Sequence, residues 1–173
     1  GHVHMKANNL DAIEKFYVDI LGFSVMARYP SAIFIAAGGY HHHLAFNTWE
    51  SKDGKPPLAN NTGLYHIAIK YPTKKTLADA LKRLNDAHYH IDGLSDHGTQ
   101  LALYLRDPEQ NGVELYWDRP RSDWSLNPDG TILFENKIFD PFPRITCIKL
   151  CADLNFIASF ISLIDSATQK YFA

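Results

Sequence analysis

Cysteine is almost missing from this chain: Cys147 and Cys151 are the only two in 173 residues. Their spacing reads as two thiols one helical turn apart rather than a metal or redox site, and so small a supply fits a reducing, cytoplasmic setting. Long apolar runs are missing too. None reaches the roughly 18–20 residues of a membrane span, and no signal peptide is visible. Neither sign of charge is in excess, with 17 Lys and Arg against 19 Asp and Glu. That balance offers nothing to a nucleic acid or an anionic membrane surface. What is present is core-forming material, 46% apolar and 13% aromatic residues, enough for one domain with an appendage. Histidine is the compositional oddity, with nine.

Residues 1–7 alternate as a strand, with His2, His4 and Lys6 on one face and Val3 and Met5 on the other. Asn8 and Asn9 cap a helix. Its Ile13, Phe16, Tyr17, Ile20 and Leu21 follow the spacing of one buried face, and Gly22 ends it. Strands are expected at about 23–29, 32–37 and 41–47, followed by a polar loop over 50–63. The order then recurs. A strand at 64–70 leads to a helix opened by Pro72 and Thr73, with Leu77, Ala80, Leu81 and Leu84 on its buried side. Strands follow near 88–94, 99–105 and 112–118, the last two joined by the turn DPEQNG. The predicted fold class is α+β: two βαβββ repeats over residues 1–124, forming a curved mixed sheet around a metal site. Residues 119–146, with four prolines, read as an extended wrap, and the C-terminal extension, 125–173, carries a helix at about 151–172.

Three residues on separate predicted strands stand out. His2 and His66 occupy matching places near the start of each repeat, and Glu114 lies on the last strand. Two imidazoles and one carboxylate form the facial triad of non-heme Fe(II) oxygenases, which leaves adjacent positions open for substrate and O2. Glu114 is flanked by Val113, Leu115, Tyr116 and Trp117. A carboxylate in so apolar a strand is costly unless paired or metal-bound. A salt bridge is the competing reading for Glu114, and an ordinary buried histidine the competing reading for His66. His4 shares the face of His2 and competes with it. In the run His41–His43, strand alternation lets only His42 or its two neighbours face a site. His88 and His90 read as surface residues and Trp49, Trp117 and Trp124 as packing. Lys70, Lys74, Lys75 and Lys82 read as a solvated helix face.

The segments HVHMKANNLDAIEKFYVDILGF, HHHLAFNTW, GLYHIAI and DHGTQLALYLRDPEQNGVELYWDRP together resemble the vicinal-oxygen-chelate superfamily. Within it they look most like the catechol 2,3-dioxygenase-like extradiol enzymes. The resemblance covers roughly residues 1–124. It implies that His2, His66 and Glu114 are the metal ligands, holding Fe(II), with Mn(II) as the substitute. It implies that His42 handles a proton or stabilises the oxygen adduct, that His97 stands one layer behind the metal, and that Tyr104 contacts the substrate through its hydroxyl. The expected substrates are a small aromatic diol and O2, with no nucleic acid or membrane partner; a homo-oligomer is compatible with the pattern.

Other activities of the same superfamily compete. A glyoxalase-I-like lyase or isomerase takes a fourth protein ligand, usually a carboxylate, from the strand at 41–47. Here that strand has histidines and no acid, and Glu50 lies beyond its end. A bleomycin-resistance-type binding protein needs no metal triad. A fosfomycin-type transferase uses two histidines and a glutamate, so ligand type alone does not separate it.

Overall fold

The computed structural model describes residues 1–58 and 60–138. The helix expected at 151–172 and the pair Cys147 and Cys151 lie outside the described residues. Two βαβββ units follow one another. The first comprises β1 (Val3–Lys6), α1 (Leu10–Glu14, continuing as a π-helical stretch Lys15–Ile20), β2 (Ser24–Tyr29), β3 (Ala32–Ala36) and β4 (Leu44–Asn47). The second comprises β5 (Ile67–Lys70), α2 (Lys74–Asp86), β6 (Gly93–Asp96), β7 (Gln100–Arg106) and β8 (Gly112–Asp118). Each builds its own mixed sheet, in the orders β1-β4-β3-β2 and β5-β8-β7-β6. In both, the first strand runs parallel to the fourth and the remaining pairs are antiparallel.

Local chemistry explains the elements. The Asn9 side chain accepts hydrogen bonds from the Asp11 and Ala12 N–H groups, which satisfies two of the orphan donors at the start of α1. Gly22, at φ 89°, ends the helix in the left-handed region that a side chain disfavours. Thr73 and Thr76 form a capping box on α2. Leu77, Ala80, Leu81 and Leu84 are its buried face, as the spacing predicts. One apolar core joins both units, with Ile13, Phe16 and Tyr17 from α1, Phe46 from β4, Leu84 from α2 and Val113 and Leu115 from β8.

Polar contacts also lock the units together. The fully buried Tyr17 hydroxyl donates to Asp107 Oδ2 at 3.1 Å. Glu109 Oε1 accepts from the Asn8 and Asn9 N–H groups, and the Arg83 guanidinium donates to the carbonyls of Ile20 and Leu21. Asp107 also organises the β7–β8 turn. Its Oδ1 accepts from the Glu109 and Asn111 N–H groups and its Oδ2 from Asn111 Nδ2.

The structure corrects several sequence expectations. β4 begins at Leu44, not 41, so His41–His43 lie in the preceding loop and strand alternation does not govern them. The strand expected near 88–94 is β6 at Gly93–Asp96. His88, at φ 51°, belongs to the two-residue turn, 87–88, that closes α2. Lys70 sits on β5 rather than a helix and pairs with Asp118. Beyond Asp118 come a 3-10 turn (Arg121–Asp123) and a short strand, β9 (Lys137–Ile138), which adds antiparallel to the β6 edge. Among the described residues, no helix is long and apolar enough to cross a membrane.

Candidate functional site

Strand alternation creates the site. Val113 and Leu115 point into the core, so Glu114 between them faces the opposite side of the second sheet, yet it is only 5% exposed. Register places Tyr104 of β7 directly opposite Glu114. Gln100, four residues before Tyr104, shares that face. His66 immediately precedes β5, whose Ala68 pairs with Glu114. Gly112 permits this approach: a Cβ there would lie 2.1 Å from the Tyr65 carbonyl oxygen and 2.9 Å from His66 Cβ.

The two carboxylate oxygens of Glu114 have separate surroundings. Oε2 lies 3.1 Å from His66 Nε2. Oε1 accepts from Gln100 Nε2 at 2.6 Å and from the Tyr104 hydroxyl at 3.0 Å. Burial first, and the neighbouring Glu114 second, push the Tyr104 hydroxyl far above the ordinary phenol value, so it stays protonated as a neutral donor. His97 Nε2 stands 2.8 Å from the same hydroxyl, while its Nδ1 lies 2.9 Å from the Glu135 carbonyl. A carbonyl only accepts, so Nδ1 carries a hydrogen. In the tautomer with a bare Nε2, the single Tyr104 hydrogen is contested between Glu114 and the His97 ring.

His2 stands in a different group. Its ring centroid is 4.3 Å from that of His42 and 6.4 Å from that of His41, and the Nδ1 atoms of His41 and His42 are 2.8 Å apart. Desolvation and then the neighbouring histidines, His2 first, hold half-buried His42 below the ordinary histidine value. His4 is engaged elsewhere, with Nε2 2.9 Å from Asn47 Nδ2 and its ring against Phe34 and Trp49.

The structure thus brings His66, Glu114, Tyr104 and His97 together and sets His2 beside His42. Among the described residues, no three His, Cys, Asp or Glu side chains are gathered so as to hold one ion. The pair at Glu114 nevertheless fits two adjacent ligand positions. Two donors at right angles on one ion, with bonds of about 2.1 Å, sit about 3.0 Å apart, close to the observed 3.1 Å. An imidazole nitrogen and a carboxylate suit Fe(II) and Mn(II) alike. His66 Nδ1, the ring nitrogen that an ion at Nε2 would not touch, is buried with no partner among the described residues. Sequence reasoning missed Gln100. Its even spacing from Tyr104 on one strand was the available signal.

The repeat gives His66, Glu114 and Tyr104 counterparts in the first sheet. Val3 pairs with Leu44 as Ile67 pairs with Val113, so His2 corresponds to His66 and Ala45 to Glu114. Phe34 likewise corresponds to Tyr104. The first sheet therefore carries a buried alanine and a phenylalanine where the second carries a carboxylate and a hydroxyl.

A family model described as Glyoxalase/Bleomycin resistance protein/Dioxygenase superfamily matches residues 1–115. The chain is 33% identical over 110 residues to "Catechol-2,3-dioxygenase" of Bacillus subtilis, covering 62% of this chain and 37% of that protein. It is 33% identical over 119 residues to "Biphenyl-2,3-diol 1,2-dioxygenase 3" of Rhodococcus globerulus, covering 68% of this chain and 62% of that protein. The chain thus spans less than two thirds of either relative. A solved lactoylglutathione lyase from Agrobacterium tumefaciens superimposes with a TM-score of 0.54 at 20% identity, covering 67% of this chain and 90% of that one, a likeness of fold alone.

Proposed function

Because the chain belongs to the glyoxalase/bleomycin resistance protein/dioxygenase superfamily, we propose that it opens the ring of a catechol-like aromatic beside the diol, using O2 and Fe(II), with Mn(II) as substitute. The observation that carries this reading is the 3.1 Å approach of His66 Nε2 to Glu114 Oε2. His2 is the third ligand of the proposal. Its support is the repeat, in which His2 precedes β1 as His66 precedes β5. The names of the two dioxygenase relatives support an aromatic diol as substrate.

Fe(II) held by His2, His66 and Glu114 would supply redox chemistry that brings a closed-shell catechol and triplet O2 together. The protein's own groups then have distinct tasks. Tyr104, kept protonated by burial beside Glu114, donates to a diol oxygen once its one hydrogen turns away from Glu114 and His97. His42, beside His2, takes and returns a proton near neutral pH. His97 orients the Tyr104 hydroxyl through its 2.8 Å contact. The low exposure of Glu114 keeps water from competing for its oxygens. The register counterpart of Glu114 in the first sheet is Ala45, so a carboxylate fourth ligand from that strand is lacking, which weighs against the lyase reading.

The test is direct. Protein loaded anaerobically with Fe(II) is mixed with catechol and exposed to air, and a yellow ring-opened semialdehyde is expected. Glu114→Ala is expected to lose both the metal and the colour. Bound metal without colour across a panel of catechols would overturn ring cleavage. Full metal occupancy in Glu114→Ala would overturn the ligand assignment.

A further inference from the structure

Glu114 is held by more than the groups expected of it, and the extra contact is unequal to the others. Of the two donors on Oε1, the Tyr104 hydroxyl has one hydrogen and a second acceptor, His97 Nε2, at 2.8 Å. Whenever that hydrogen turns toward His97, Oε1 loses it. The Gln100 amide has no such conflict. Its Nε2 reaches Oε1 at 2.6 Å, the shortest contact the carboxylate makes, and an amide does not titrate across the working pH range.

Resting on the ligand reading above, we propose that Gln100 is the positioning residue that holds the Glu114 carboxylate in the orientation needed for metal capture. The terminal torsion of a glutamate side chain is broad and roughly two-fold. An unanchored carboxylate therefore rotates between presenting one oxygen and presenting both. With Oε1 engaged by Gln100, only Oε2 remains to stand beside His66 Nε2. Gln100 is itself well placed for this. It opens β7, its backbone pairs with Asp118 of β8, and its carbonyl accepts from the His97 N–H at 3.0 Å. One strand thus sets Gln100 and Tyr104 on the carboxylate, with His97 just before it against the Tyr104 hydroxyl. Groups that orient a metal ligand in this way are typically worth about 10–100-fold in metal affinity.

The experiment is an anaerobic Mn(II) titration of metal-free protein, read by the loss of the free-ion electron paramagnetic resonance signal. Gln100→Met, close in length and without a donor, is expected to weaken Mn(II) binding by about 10–100-fold. The thermal unfolding midpoint of the metal-free protein serves as the control for folding, and Gln100→Ser provides a second variant too short to reach Oε1. The decisive readout is a cycle with Glu114→Asp, whose shorter carboxylate leaves Gln100 without its partner. On that background Gln100→Met is expected to change affinity by no more than about twofold, because the contact is already gone. Binding by Gln100→Met within about twofold of the wild type, or an equal loss on both backgrounds, would overturn the proposal. No Mn(II) binding by the wild type would instead remove the ligand reading, and this inference with it.

Discussion

The hydrogen bond between Tyr17 and Asp107 joins α1 of the first repeat to the β7–β8 turn of the second, and both groups are fully buried. Tyr17→Phe deletes a single oxygen and leaves the ring packing on Phe16 and Phe46 in place. Hydrogen bonds to charged groups contribute about 1.5–3 kcal/mol net. Asp107 Oδ2 retains the Asn111 Nδ2 donor at 3.0 Å, so the lower half of that range applies, about 1.5–2 kcal/mol. At this chain length each kcal/mol moves the unfolding midpoint by about 2–4 °C, which predicts a fall of about 3–8 °C by calorimetry. Asp107 also gives the effect a pH signature. Burial raises its carboxyl above the ordinary value, more than its hydrogen bonds lower it, Asn111 and Tyr17 among them. A raised folded value means that the folded state binds the proton more tightly. The associated stability is present below the ordinary carboxyl range and is lost as pH rises through the folded value. Asp107→Asn removes this titration, so its stability relative to wild type is expected to improve as pH rises through that window. A Tyr17→Phe midpoint within about 1 °C of wild type, or an Asp107→Asn difference that moves in the opposite direction with pH, would refute the reasoning.

Gly112→Ala is expected to destabilise the protein by about 1–3 kcal/mol and to weaken metal binding, because the new Cβ would meet the Tyr65 carbonyl at 2.1 Å and push His66 from Glu114. Denaturant unfolding and Mn(II) titration measure the two effects, and unaltered affinity would show that the β5–β8 approach does not set the site. His42→Ala is expected to retain metal while slowing ring cleavage by about 10²–10⁴. Metal content and steady-state rates check it together, and unchanged turnover removes His42 from the chemistry. Thr73→Ala is expected to cost about 1 kcal/mol through loss of the capping box on α2, seen as a lower urea midpoint.

The sequence by itself determined the repeat and the buried faces of its two helices. Apolar spacing in α1 and α2, the caps at Asn9 and Thr73 and alternation through Val113, Glu114 and Leu115 are local signals, and the structure follows them. The pairing of Tyr104 with Glu114 was foreshadowed by two strands joined by a tight turn, where register follows from turn length. Tertiary structure alone decided the rest. The histidine run 41–43 has the composition of a strand extension, yet β4 starts at Leu44, because pairing with β1 begins there at Val3. The hold of Gln100 on Glu114 depends on strand register and a side-chain reach that no periodicity encodes. The grouping of His66 and His97 around Tyr104, and of His2 beside His42, also joins residues distant in the chain. Contacts between residues distant in the chain are set by packing of the whole core, whereas element type is set by neighbours a few residues away.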